Sequence, residues 1–441
     1  MGFTSLLKVQ YAVWKQTIGP GQFERDLCIN SPTGTGKTLS YALPIVQTLS
    51  TRNVKRLRAL VVVPTRDLAL QVKKVFASIA PAVGLSVGLA IGQTSIADEK
   101  SELIKRPNLE AGLCYDPEDH SVELESAVDI LVATPGRLMD HINTTKGFTL
   151  AHLCYLVVDE ADRLLREAYQ SWLPTVLQLT RSSEGLFSSV RTSQSVLGSL
   201  RTIRKSGVER GFKGKPYPRL VKMILSATLT QDPSKLSQLD LHHPLFLTGG
   251  RYQLPEKLES YKVICESKLK PLYLAALLQE LRGEKSIVFT SSVESTHKLS
   301  TLLNCFDDLQ FKIKDCSSLQ SQSLRSKTIR AFREGDVQVL VASDALTRGM
   351  DIEGMRNVIN YDMPAYPKTY IHRAGRTARA GQTGRCFTFL RRHEVIKFKK
   401  VLKKAGNDSC SVHSVPADSI ESLRPLYTSG NLSAFICIEY I

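Results

Sequence analysis

The chain has 441 residues, 42% hydrophobic and 23% charged, an ordinary globular usage that excludes a mostly disordered polymer. Its 58 Lys and Arg against 42 Asp and Glu leave a formal charge of +16, which favours phosphate backbones or anionic surfaces as partners. No run approaches the ~20 apolar residues of a membrane span, and the opening MGFTSLLKVQ lacks the apolar core of a secretory signal. Nine scattered cysteines form no CxxC pair, which argues against structural zinc and a disulfide framework and suits a reducing compartment, cytosol or nucleus.

Short apolar runs alternate with helical patterns along two halves of the chain. In the first half the expected strands are Asp26–Asn30, Ala59–Val63, Asp129–Ala133, Tyr155–Val158 and Met223–Leu225; in the second they are Ser286–Thr290, Val337–Val341, Val358–Tyr361 and Cys386–Leu390. This is the α/β pattern of a parallel sheet with helices on both faces, occurring twice. The Gly249–Gly250 pair marks the boundary, giving domains 1–250 and 251–405 and a tail of unknown role over 406–441. Residues 108 to 129 carry seven acidic residues and no Lys or Arg, and residues 181 to 222 carry ten Lys or Arg and two Glu; both read as surface insertions. The basic one is either a phosphate-binding arm or a solvated loop or localisation signal. A second basic region over 385–404 is interleaved with Val395, Ile396, Phe398, Val401 and Leu402, so one face of it is expected to be core.

Residues 31 to 38 read SPTGTGKT between the first strand and a helical pattern. Gly34 and Gly36 let the backbone wrap a phosphate chain with its N–H groups. Lys37 offers a point charge to the β/γ phosphates, Thr38 a hydroxyl ligand for Mg²⁺, and the helix start a favourable dipole. Residues 159 to 162 read DEAD directly after a strand, at the end of a parallel sheet where ligands bind. Asp159 would hold Mg²⁺ through water, and Glu160 would orient and deprotonate an attacking water. Alone, such an acidic run is most often a helix-start charge cluster; beside the Lys37 loop it is a catalytic pair.

Together these residues resemble the DEAD-box ATP-dependent RNA helicases of superfamily two. Ten motifs occur in the family's order: Gln10, SPTGTGKT, PTRDLALQ (64–71), ATPGRL (133–138), DEAD, SAT (226–228), IVFTSS (287–292), QSLR (322–325), SDALTRGMD (343–351) and HRAGRTAR (372–379). The stretches GFTSLLKVQYAVW and SLQSQSLRSKTIRAFREGDVQVLVASDALTRGMDI look most like the branch tied to large-subunit ribosome assembly.

The resemblance implies two tandem RecA-like domains that bind ATP and single-stranded RNA and locally open short duplexes. It implies nucleotide contacts from Gln10, Ser31, Thr33, Gly34, Thr35, Gly36, Lys37, Thr38, Gly349 and Asp351, with Gln10 reading adenine beside Phe3. Arg376 and Arg379 resemble arginine fingers that reach the γ-phosphate, with His372 and Arg373 opening the same helix-start motif. RNA contacts are implied at Thr65, Arg66, Gly92, Thr134, Gly136, Arg137, Gln322, Arg325 and Ser343, all phosphate-positioning types, so weak sequence preference is expected. Ser226, Thr228 and His372 would couple hydrolysis to strand separation. The family's aromatic upstream of Gln10 is absent, so the start reads as truncated. A nucleolar monomer acting on rRNA precursors, with activating protein cofactors, is the expected setting. An ATP-gated RNA clamp with little unwinding uses the same residues, while a DNA translocase is disfavoured by DEAD and HRAGRTAR.

Overall fold

The structure, a computed structural model, describes residues 6–18, 25–31, 36–105, 124–165, 171–185, 219–226, 237–248, 254–255, 257–306, 309, 311–317, 319–344, 355–378, 382–425 and 427. The chain divides into two compact units at Gly249/Gly250.

The first unit is built on seven parallel strands: β1 (Leu27–Asn30), β2 (Ala59–Val62), β3 (Val87–Ala90), β6 (Ile130–Ala133), β7 (Tyr155–Val158), β8 (Val221–Ser226) and β9 (Leu245–Thr248). Their order across the sheet is β3-β6-β2-β7-β8-β1-β9. Two short strands, β4 (Ile104–Lys105) and β5 (Glu125–Ser126), pair antiparallel beside it. Strands β2, β6 and β7 carry no charged or amide residue because both faces are covered. Alternate residues feed opposite cores: Ile29, Val61, Val132 and Val157 lie on one face with Tyr41, Ile45, Val72 and Phe76. Cys28, Leu60, Leu131 and Leu156 lie on the other with Leu138, Trp172 and Val176. Helices α1 (Lys8–Thr17), α2 (Lys37–Leu49), α3 (Arg66–Ile79), α4 (Ile96–Leu103), α5 (Pro135–Thr144), α6 (Ala161–Leu164) and α7 (Trp172–Gly185) complete the described elements used below.

The second unit repeats the plan with β10 (Leu258–Ile264), β11 (Ser286–Thr290), β12 (Ile313–Cys316), β13 (Val339–Ser343), β14 (Asn357–Asn360), β15 (Gly384–Leu390) and β16 (Ser411–Val412). These strands are all parallel, ordered β12-β13-β11-β14-β15-β10-β16. Helices α8 (Lys270–Glu280) and α9 (Val293–Asn304) pack on one face, and α10 (Gln322–Glu334), α11 (Pro367–Ala374) and α12 (Val395–Lys404) on the other.

The structure differs from the sequence expectation in several places. Strands β3, β9, β10, β12 and β16 are absent from the apolar-run reading. Four of them are edge strands, which pair on one side only; polar residues break the run in IKDC over β12, while VGLA over β3 and LFLT over β9 are only four residues long. The expected tail is not an appendage over its first part. Strand β16 extends the second sheet, residues 417–425 are helical, and Val415, Ile420 and Leu423 join the second unit's core. Of the acidic stretch, 106–123 lie outside the described residues, but Asp129 is fully buried. Its carboxylate accepts from Arg52 and Ser86, the latter through Oγ at 3.0 Å and the amide at 2.9 Å. Of the basic stretch, 186–218 lie outside the described residues, while Arg219 and Lys222 are internal partners of the buried Asp26. In the second basic region Phe398, Val401 and Leu402 are core, Ile396 is exposed, and Arg385 is paired with Glu284. No disulfide joins any described cysteine.

Candidate functional site

Two groups of sequence-flagged residues gather at the carboxyl ends of the first sheet, on different strands. Those of the phosphate grip follow β1, β7 and β8; those of RNA-contact type follow β2, β3 and β6, the neighbouring edge.

Strand β1 ends at Asn30, and α2 starts at Lys37 with Gly36 as its cap in the left-handed region, φ 73°. The left-handed φ favours glycine, and a Cβ there would stand 2.3 Å from the Gln10 amide nitrogen and displace that side chain. Gln10 is buried on α1; its amide donates to the Gly36 carbonyl at 3.2 Å and its oxygen accepts from the Leu7 amide at 2.9 Å. Here its side chain ties α1 to the phosphate loop. Lys37 Nζ donates to the Ser31 carbonyl at 2.8 Å, folding the ammonium back over the loop. Thr33, Gly34 and Thr35 lie outside the described residues, as do Phe3, Thr228, Gly349, Asp351 and Arg379.

Asp159 follows β7 and is buried. Its Oδ2 accepts from the Tyr41 hydroxyl at 3.2 Å and its Oδ1 from the Glu160 amide at 2.8 Å. Burial pushes the Asp159 carboxyl up to about 6, the Lys37 ammonium opposing the shift and Glu160 adding to it. Glu160 is held at φ 55°, a left-handed conformation that is rare for a residue with a Cβ. Its side chain is buried and Oε2 has no hydrogen-bond partner. A strained turn thus presents one unsatisfied carboxylate oxygen beside Asp159 and the Lys37 loop. Further along the motif, Asp162 Oδ1 accepts from the Ser226 hydroxyl at 2.7 Å, which joins DEAD to the end of β8. Tyr41 completes this cluster without a sequence signal of its own, since a helix tyrosine reads as core.

At the other edge, Thr65 caps α3, its hydroxyl accepting from the Leu68 amide at 3.4 Å, and leaves Arg66 exposed. Thr134 caps α5, whose first turn carries Gly136 with open space where a Cβ would lie. Gly92 follows β3 at φ 68°, and a Cβ on it would sit 3.4 Å from the Arg66 guanidinium and 3.7 Å from Arg137. Two of these loops, after β3 and β6, are drawn together by Glu99, a residue with no motif of its own in the sequence. Its Oε1 accepts from the amides of Gly92 at 2.9 Å and Ile91 at 3.3 Å. Its Oε2 accepts from Arg137 Nε at 2.7 Å and meets His141 Nε2 at 2.9 Å. Burial pushes the Glu99 carboxyl up, but hydrogen bonds from His141, Arg137 and Gly92 outweigh it and hold it below the usual range.

In the second unit HRAGRTAR does not start a helix. Pro367 opens α11, so His372 and Arg373 fall in its last turn and Arg376 just beyond it. All three are buried, not solvated. Arg373 forms a bidentate pair with Asp344 at 2.6 and 2.8 Å and also donates to Asn360 and the Asp362 carbonyl. Arg376 Nε donates to the His372 carbonyl at 3.1 Å. Ser343 ends β13 with its buried hydroxyl unpartnered. Gln322 and Arg325 occupy the first turn of α10, the side chain of Gln322 lying outside the described residues.

Residues 7–236 match the family described as DEAD/DEAH box helicase, and residues 269–381 match the helicase conserved C-terminal domain. The chain is 69% identical over 432 residues to DEAD-box ATP-dependent RNA helicase 1 of Arabidopsis thaliana, covering 97% of this chain and 83% of that protein. It is 37% identical over 456 residues to ATP-dependent RNA helicase DDX51 of Mus musculus, covering 97% and 68%. Its fold is similar to Mss116p bound to ssRNA and AMP-PNP, with a TM-score of 0.71 at 23% identity, covering 95% of this chain and 76% of the other. Dbp5 of S. cerevisiae, bound to RNA and ADP BeF3, is similar at a TM-score of 0.68 and 19% identity, covering 97% and 94%. Both are two-domain assemblies of the RecA-like kind, the architecture that the paired parallel sheets define here. The chain belongs to the DEAD-box ATP-dependent RNA helicases. It is accordingly an enzyme that hydrolyses ATP and acts on RNA.

Proposed function

We propose that this helicase separates short RNA duplexes in rRNA precursors during large-subunit ribosome assembly, in the nucleolus, as a monomer open to activation by protein cofactors. The sequence stretches shared with the ribosome-assembly branch support the setting, and the first sheet supports the chemistry.

In this reading Lys37 and the loop amides of residues 31–38 hold the triphosphate. Thr38 and Asp159 would hold Mg²⁺; one carboxylate and one hydroxyl suit an ion that keeps waters and phosphate oxygens as its other ligands. When bound, the ion neutralises phosphate charge. Glu160 orients the attacking water and takes its proton, and Arg376 and Arg379 supply guanidiniums to the γ-phosphate. Gln10 contributes to the nucleotide site by fixing the loop at Gly36. Thr65, Arg66, Gly92, Thr134, Gly136, Gln322, Arg325 and Ser343 form the RNA backbone contacts, with Arg137 on the same face bonded to Glu99, and Ser226, Thr228 and His372 form the coupling between sites. The single observation that carries the chemistry is the buried, unpartnered Oε2 of Glu160 on its left-handed turn.

The test is duplex separation and phosphate release by the wild type, Lys37→Ala and Glu160→Gln, with a slowly hydrolysed ATP analogue in parallel. Strand separation that needs ATP and Glu160 to recycle supports the helicase reading. RNA retention with the analogue and negligible separation with ATP would mark a clamp.

A further inference from the structure

Gly92 and Arg137 stand 45 residues apart, after two different strands, yet one carboxylate holds both. Glu99 is 3% exposed and spends its oxygens on four donors. His141 Nε2 meets Glu99, and its Nδ1 lies 3.0 Å from the Thr145 hydroxyl, so the imidazole is held from both sides. Arg137 is engaged as fully. Beyond Glu99 it donates to the Thr94 carbonyl at 2.9 Å and lies 3.6 Å from Asp140, leaving its side chain 15% exposed. Arg66, on the same rim, is exposed and makes no such bonds among the described residues.

We propose that Glu99 is a positioning residue for RNA binding and that Arg137 is its internal brace, not a phosphate ligand. The carboxylate locks the Gly92 loop to the start of α5, so the Gly92 amide region, Thr134 and Gly136 keep the spacing that a single-stranded backbone requires. Arg66 carries the charge that meets phosphate. Cutting the brace frees a guanidinium, whose added attraction is screened at the surface. Misplacing two loops by an ångström costs more. The inference deepens the RNA-face reading above and rests on it.

The experiment is a double-mutant cycle on the full chain, reading the concentration of unstructured single-stranded RNA that half-stimulates ATP hydrolysis. Glu99→Gln keeps the shape and, with its oxygen on the Gly92 amide, turns an NH2 toward Arg137 and His141 that can accept from neither. We expect Glu99→Gln, Arg137→Ala and the double variant each to raise the half-stimulating concentration about tenfold, the pair no more than either alone. The plateau rate at saturating RNA stays within about twofold. The salt slope of binding is unchanged in Arg137→Ala and shallower by ~0.7 in Arg66→Ala, the value for one lost single-strand phosphate contact. A wild-type value for Glu99→Gln, multiplying losses in the pair, or a shallower slope in Arg137→Ala overturns the proposal. Should Glu99→Gln fail to fold, the Arg137→Ala slope decides alone. If Arg66→Ala weakens binding while Glu99→Gln does not, only this inference falls; if neither does, the RNA face itself is misassigned.

Discussion

The middle and one edge of the first sheet treat their buried carboxylates in opposite ways. After β7, Glu160 sits on a strained turn with one oxygen unpartnered, and burial pushes the Asp159 carboxyl up to about 6. After β3, Glu99 is equally buried but saturated, and its carboxyl lies below the usual range. Leaving a buried acceptor unmade costs about 1–3 kcal/mol. A fold tolerates that where the missing partner is a reactant. Where the task is to hold a polymer backbone at fixed spacing, every internal bond is closed and only the rim is left for the ligand. The contrast separates chemistry from positioning within a few strands.

The largest test of that contrast is removal of the unpartnered oxygen. Glu160→Gln should lower RNA-stimulated phosphate release about 10²–10⁴-fold, the range of a positioned general base. A wild-type rate would sink the assignment.

Asp159→Asn asks whether the nucleotide end is strained by charge. The folded carboxyl titrates near about 6 against an ordinary value of 3.8, so the group's contribution to stability is full below 3.8 and lost as pH climbs through about 6. The asparagine variant, free of nucleotide, should therefore melt higher than wild type at pH 8, by on the order of 1–3 kcal/mol, and lose that advantage near pH 4. Thermal melts across pH check it, and equal melting at both ends would contradict the burial account.

Ser226→Ala removes one donor to Asp162 and should cost about 1–2 kcal/mol in denaturant unfolding. Its strand separation should fall further than its ATP turnover; parallel losses would argue against a coupling role.

The smallest effect is expected from Ser95→Ala. Ser95 caps α4, accepting from the Asp98 amide at 3.1 Å, and α4 carries Glu99. Loss of the cap should cost about 1 kcal/mol and raise the RNA requirement by no more than a few-fold. A larger RNA defect would mean that α4 itself touches the polymer.

Central strands were legible because burial on both faces leaves continuous apolar runs, as in Ala59–Val62 and Tyr155–Val158. Edge strands such as β12 were not, because their solvent side is written in polar residues. The phosphate loop and DEAD were legible because backbone shape and charge must coincide in a short window. Glu99 was not, because its partners are 7 and 38 residues away and are brought to it only by the order β3-β6-β2. Arg137 was found for its type and placed as a ligand, whereas the fold spends its donors internally. Asp129, Arg219 and Lys222 were counted with charged insertions because composition cannot tell a solvated charge from one that closes a buried network.

The two residues of β16 have a consequence out of proportion to their number. They hydrogen-bond along Tyr261 and Lys262, midway down a seven-residue strand that would otherwise lie at the margin of its sheet. Unpaired margins recruit strands from other molecules. A version of this protein clipped after Lys404 would keep every helicase motif and yet lose both the cover of that seam and the core side chains Val415, Ile420 and Leu423, so self-association in light scattering should come with a lower melting temperature.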